Sequence, residues 1–317
     1  MSDENAGRVS RAVRRRDVLA MAGGTLGTGL AGCVSAGDGT EESAPAGTAS
    51  GSTETASATE SSTDDPPATA AGEGGPPTDV GWELTFESTF SDGEWDGSTW
   101  ALGAGYEYTC AAMECWEEDA VWVDENTERL VIETTDEPSG DAEYTSAAVA
   151  TRDVFQQEFG YFEAKSRPPA QPGALPAFWA WWNADDWTYR REIDVYEIGG
   201  TAATTATHSV HMDCGPREQG APPTVWRGGE STLETPADET FHVWGVEWTP
   251  ESVAFYVDGE ERVRVEDTVV AECFAGEPLW LLLSTHVNDG FGDPAEADYP
   301  YTHEFEWVRA WQHENWA

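Results

Sequence analysis

The chain has 317 residues, with 60 Asp and Glu against 16 Lys and Arg, a formal net charge of −44. That balance excludes nucleic acid as a partner, because phosphate backbones are held by a basic footprint. With 39% hydrophobic residues and 16 tryptophans it also excludes a chain disordered throughout. Such a charge strains a compact state at low salt, and at 1 M salt the screening length falls to about 3 Å. The composition is that expected of a halophile's protein.

The N-terminus reads as a targeting segment. Arg14, Arg15 and Arg16 precede the run VLAMAGGTLGTGLAGC, which is too short to span a bilayer. The arginines and the modest apolar stretch resemble a twin-arginine export signal. The closing LAGC resembles a lipobox, with Cys33 as the lipid-bearing residue. The mature protein is therefore expected outside the cell or lipid-anchored at its surface. Residues 34–78 are rich in Ser, Thr, Ala, Gly, Pro and acidic residues and lack aromatic side chains. They read as a solvated tether. The expected organisation is 1–33 signal, 34–78 linker and 79–317 domain.

From residue 79 short alternating runs recur between turn signals: GWELTFESTF, RLVIETT, YFEAKSR, AFWAWW, EIDVYEI, FHVWGVEWT, VAFYVDGE and HEFEWVRAWQ among them. No run of ten or more residues has a helical period. VDGEERV marks a tight hairpin at Asp258 and Gly259. About 240 residues of short strands predict one all-β sandwich. Four cysteines remain after Cys33: Cys110, Cys115, Cys214 and Cys273. In an exported chain they are disulfide candidates, and four allow three pairings. A local Cys110–Cys115 staple would leave Cys214 with Cys273. No Cys/His spacing supports a zinc site.

REIDVYEIGG, residues 191–200, carries Glu192, Asp194 and Glu197. A chain this acidic produces such a triplet by chance about once or twice, so its context decides. In a strand Glu192 and Asp194 share a face while Ile193 and Val195 point to the core. Regular alternation would turn Glu197 inward. One extra residue after Asp194, a β-bulge, returns it to the carboxylate face. Two glutamates leaning together on one surface suit retaining glycoside hydrolysis, in which nucleophile and acid/base stand about 5 Å apart. Neighbouring negative charge would keep the acid protonated near neutral pH.

These segments together resemble glycoside hydrolase family 16, the laminarinase, agarase and carrageenase group. EIDVYE matches the family's bulged E-I-D-x-x-E signature. YTSAAVATRDVFQQEFGYFEAKSRPP, GALPAFWAWW, FHVWGVEWTPESVAFYVDGE and HEFEWVRAWQ follow its other segments in order. The resemblance covers about residues 81–312 and implies a jelly-roll, concanavalin-like sandwich with a concave substrate cleft. It makes Glu192 the nucleophile, Glu197 the general acid/base and Asp194 the assisting carboxylate. Trp187 matches a sugar-stacking tryptophan, and His211 the histidine near the acid/base, with His208 close by. Trp179 and Trp181 share a strand face and could floor the cleft. Arg191 stands where the family has Gly and Thr188 where it has Pro. Arg190 and Arg191 could meet an anionic sugar or pair with acidic neighbours. The family's frequent calcium site is not matched: Ser88, Thr89, Phe90 and Glu306 occupy its places. No cofactor is expected to be required.

The expected function is therefore an exported, endo-acting, retaining hydrolase of a β-linked polysaccharide, first a β-1,3-glucan such as laminarin, acting as a monomer. Agar, porphyran or carrageenan hydrolysis, transglycosylation on the same residues and a non-catalytic carbohydrate-binding sandwich are the alternatives.

Overall fold

Side-chain alternation organises the domain in the computed structural model, which describes residues 74–78, 80–91, 98–103, 110, 113–183, 190–212, 225–266 and 276–316. All of them belong to one of the chain's two compact units, Thr63–Ala317. The strands are β1 (Trp82–Ser88), β2 (Ala101–Leu102), β3 (Glu114–Trp116), β4 (Val121–Asp124), β5 (Arg129–Thr134), β6 (Tyr144–Ser146), β7 (Ala148–Ala150), β8 (Gly160–Arg167) and β9 (Ala174–Asn183). They continue as β10 (Arg190–Glu197), β11 (Thr205–Met212), β12 (Val225–Thr232), β13 (His242–Trp248), β14 (Val253–Val257), β15 (Glu260–Val265), β16 (Trp280–Val287) and β17 (Tyr301–His313). Among the described residues only three short 3₁₀ turns interrupt them.

Two antiparallel sheets form the jelly-roll sandwich. The back sheet runs β15-β14-β13-β8-β17-β5-β4, with β1 also paired to β17. The front sheet runs β12-β11-β10-β9-β16-β7-β2. A small parallel pair, β3 with β6, stands apart. Inward residues of both sheets make one core: Ile193, Val195, Val210 and Leu281 from the front meet Phe162, Trp244, Phe255 and Phe305 from the back. Burying such side chains contributes roughly 1.5–3 kcal/mol each. In β17 the period is kept by a register shift between Phe305 and Trp307, so that Phe305, Val308 and Ala310 all reach the core. The β14–β15 hairpin turns on Asp258 and Gly259, both at positive φ. This is the primed geometry that a two-residue loop requires.

A second apolar cluster lies on the outer face of the front sheet. It joins Trp179 and Trp181 of β9 to Trp280 and Leu282 of β16, Ala148 and Ala150 of β7, and Trp116 of β3. This buried cluster adjoins the carboxylates. Cys110 and Cys115 form a disulfide. Cys214 and Cys273, the signal, Cys33 and most of the linker lie outside the described residues.

Candidate active site

β10 is an interior strand of the front sheet, between β9 and β11. Its interior position follows from Ile193, Val195 and Ile198, all fully buried. Asp194 pairs with Trp179 on β9, and the next pair is Tyr196 with Phe178, which leaves Val195 unmatched. On β11, Asp194 pairs with Ser209 and Glu197 with Thr207. A bulge therefore follows Asp194. Val195 and Tyr196 both pack into the core, and Glu197 returns to the face of Glu192 and Asp194. The Tyr196 hydroxyl fixes this inward turn, bonding His303 Nε2 at 2.6 Å and Ser166 Oγ at 2.7 Å on the back sheet.

Three rows of side chains cross the front sheet at the carboxylates. One row runs Trp280, Trp181, Glu192, His211 and Trp226 from β16 to β12. The next runs Leu282, Trp179, Asp194, Ser209 and Gly228. The third runs Ser284, Ala177, Glu197, Thr207 and Glu230. Gly228 is required by close approach, since a Cβ there would lie 2.1 Å from the His208 carbonyl oxygen.

Asp194 is only 4% exposed. Its Oδ2 accepts from Ser209 Oγ at 2.7 Å and lies 3.2 Å from His211 Nε2. Ser209 Oγ and His211 Nε2 are themselves 3.1 Å apart, so Asp194, Ser209 and His211 form one polar knot. Burial first, and then the Asp194 carboxylate, push the Glu197 carboxyl up to about 8. Its small partner Ala177 leaves room beside it. A carboxyl that holds its proton at neutral pH, on the same face as an aspartate three residues earlier, can donate to a departing oxygen.

The remaining expected site residues fall into different places. His211 joins the carboxylates, as described. His208, three residues earlier, faces the core and is fully buried. Trp179 and Trp181 do floor the carboxylate face, packed edge to face at 5.8 Å. They are only 7% and 5% exposed, so little of either ring is open. Trp179 Nε1 donates to Ser284 Oγ at 3.0 Å, which holds its orientation. The structure does not bring Arg191 to the carboxylate face. Strand alternation turns it to the opposite side, with its guanidinium 4.9 Å from the Trp182 ring and influenced by Glu277 and Glu158. Trp187, Thr188 and the Arg190 side chain lie outside the described residues.

Two residues on this face were missed in the sequence. Trp226 is 49% exposed and stands opposite His211. Its signal was Val225, whose inward side chain turns its neighbour outward. His286 of β16 donates from Nδ1 to Glu114, 2.9 Å away, and lies beside Trp116 and Trp179. Its signal was a polar Ser-Thr-His ending to an otherwise apolar strand.

The residues at the expected calcium position do not fit a cation. Both Glu306 oxygens are engaged, by Lys165 at 2.8 Å and Arg129 at 2.9 Å. Ser88 Oγ accepts from Trp100 Nε1, Thr89 bonds Ser91, and Phe90 is buried. No cluster of three metal-ligating side chains occurs among the described residues.

Residues 107–309 match the family model of Glycosyl hydrolases family 16. The chain belongs to that family. A beta-glucanase of Rhodothermus marinus is 28% identical over 200 residues, covering 56% of this chain and 68% of that protein. Endo-1,3-1,4-beta-glycanase ExsH of Rhizobium meliloti is 27% identical over 177 residues, or 54% of this chain, which spans about 35% of that longer protein. Among solved structures, the catalytic domain of an endo-1,3-beta-glucanase (laminarinase) from Thermotoga petrophila is 26% identical with a TM-score of 0.64. That match covers 74% of this chain and 99% of the Thermotoga chain.

Proposed function

We propose that this family 16 protein is an endo-acting hydrolase of β-glucan, cutting β-1,3 linkages with retention of configuration. The observation that carries the reading is the bulged strand, which presents three carboxylates on one face and holds the proton of Glu197 to about pH 8. The similar proteins whose names state a β-glucanase activity support the substrate class.

In this reading Glu192 attacks the anomeric carbon while Glu197 gives its proton to the departing glycosidic oxygen. The released sugar leaves as an alcohol and a glycosyl–Glu192 ester remains. Glu197, now a carboxylate, takes a proton from water, whose oxygen displaces Glu192 from the same face on which the first sugar departed. Burial raises Glu197, and Asp194, tied to Ser209 and His211, adds its negative charge to that effect. His211 and Trp226, on the row of Glu192, extend the surface on which the glucan would lie.

The chain is further proposed to be exported by its twin-arginine signal, anchored through Cys33 and active at high salt. A reducing-sugar assay at molar KCl on laminarin, mixed-linkage β-glucan, agar, porphyran and carrageenan tests the substrate. Laminarin as the best substrate is the expected result. Activity confined to a galactan would overturn the β-glucan assignment, and binding without cleavage of any glycan would overturn hydrolysis.

A further inference from the structure

A bulge interrupts the regular ladder, and here the interruption lies in the core beneath the carboxylates. Between the pairs Asp194–Ser209 and Glu197–Thr207, two residues of β10, Val195 and Tyr196, face one residue of β11, His208. Val195 is also the residue skipped on the β9 side. An orphaned buried carbonyl costs about 1–3 kcal/mol, and the chain has two ways to avoid that. It can supply another donor, or it can slide the register by one residue. Sliding would turn Glu197 into the core, since one residue of slip exchanges the faces.

We propose that His208 is a positioning residue: it locks the bulge by binding the Val195 carbonyl and so fixes the placement of Glu197 relative to Glu192. The proposal rests on the catalytic reading of those two glutamates. His208 Nδ1 lies 2.6 Å from the Val195 oxygen. A carbonyl only accepts, so Nδ1 carries the hydrogen. Nε2 lies 2.8 Å from Ser231 Oγ on β12. With Nδ1 protonated, the neutral ring accepts there from the Ser231 hydroxyl, which fixes the tautomer. The ring is fully buried and tilted against Phe255 at 5.3 Å between centroids. Burial, with Arg262 as the nearby charge, holds the imidazole below its ordinary pKa and keeps it neutral. Ser231 thereby ties the edge strand to the bulge. His208 touches no face that a glycan could reach, so its effect on catalysis passes through Glu197.

The test compares His208→Leu, which removes the donor at similar bulk, with His208→Asn, whose amide nitrogen stands near the place of Nδ1. Both are measured for kcat, KM, melting temperature and the alkaline limb of kcat/KM. A displacement of about 1 Å in a reacting group can cost about 10²-fold, so His208→Leu is expected to lose about that much kcat with KM little changed. Its alkaline limb should move down from near 8, because Glu197 is no longer held buried beside Asp194. His208→Asn should recover most of the rate and return the limb toward the wild-type value. Equal losses in both variants with an unmoved limb would reduce His208 to a packing residue and overturn the proposal. If His208→Leu does not fold, Ser231→Ala decides: it leaves Nδ1 in place but frees the ring, and should lower kcat and shift the limb in the same direction. A folded Ser231→Ala with the wild-type profile would overturn the proposal equally. Glu197→Gln, run in parallel, separates the two readings. Full activity in that variant sinks the carboxylate assignment itself, whereas an inactive Glu197→Gln with unshifted His208 variants sinks only the lock.

Discussion

Replacing Glu197 with glutamine should abolish activity and, above neutral pH, make the fold more stable than the wild type. The carboxyl's ordinary value is 4.5 and the folded protein raises it to about 8. Between those values the folded state keeps a proton that the unfolded chain releases. Wild-type stability therefore falls as pH rises through that window, and the glutamine, which does not titrate, has no such slope. At about 1.4 kcal/mol per pH unit, the gap amounts to at most about 5 kcal/mol. It is a ceiling, because an ionised Glu197 can draw in water and shift away from Asp194. For a domain of this size 1 kcal/mol moves the melting temperature by about 2–4 °C, so the variant could gain up to about 10–20 °C above pH 8. Below pH 4.5 this contribution vanishes. Glu163, a second buried carboxyl raised to about 7, adds the same slope to both proteins and drops out of the difference. The measurement is urea unfolding of both proteins from pH 4.5 to 9 at one fixed KCl concentration. A stability difference that stays constant with pH would refute the account of Glu197 as a buried, proton-holding acid.

Glu192→Gln should lose at least the 10²–10⁴-fold associated with an acid/base group, with the melting temperature retained; near-wild-type turnover on laminarin would remove it as nucleophile. Melting temperature should climb between 0.1 and 3 M KCl, since a chain of formal charge −44 is screened over about 10 Å at the lower concentration and about 3 Å at 1 M; a flat curve would end the halophilic reading. Dialysis against a chelator should leave the melting temperature unchanged, because Glu306 is bound to Lys165 and Arg129; a calcium-restorable drop would show a cation site elsewhere. Cys33→Ser should release activity into the medium or block processing, and identical fractionation with the wild type would dismiss the anchor.

The strand residues that carry the site were legible for a physical reason. Ile193 and Val195 demand the core, and three carboxylates cannot all face solvent in a regular strand of that spacing, so a bulge was the economical resolution. The structure places the register shift after Asp194. What could not be read was which neighbour does what. His208 and His211 are three apart, so they lie on opposite faces of β11. Strand alternation alone does not tell which face meets Glu192; the family resemblance pointed to His211, which enters the polar knot of Asp194, while the part of His208 beneath the bulge had no signal in the sequence. Arg191 illustrates the same limit. Its charge and its adjacency to Glu192 suggested a role in the cleft, but adjacency in a strand means opposite faces, and its guanidinium spreads over Trp182.

The tertiary pairings were hidden more deeply. Glu306 and Lys165 lie 141 positions apart in the chain, and their contact exists only because β17 lies beside β8. That contact bears on the acidity of the whole protein. Lys165, the single lysine, and Arg129 both bind Glu306, while Arg129 and Arg167 both reach Glu304. Scarce cations are thus gathered where two glutamates of one strand would otherwise repel across the back sheet. On the front sheet Glu197 stands in a different setting, buried and beside the Asp194 carboxylate, which itself contacts Ser209 and His211. That difference leaves a raised proton affinity at Glu197, whereas Glu306 is held below its ordinary value by Lys165 and Arg129 despite its burial. The same residue type is made an ion on one sheet, where Lys165 and Arg129 outweigh burial, and an acid on the other, where burial dominates and a neighbouring carboxylate adds to it.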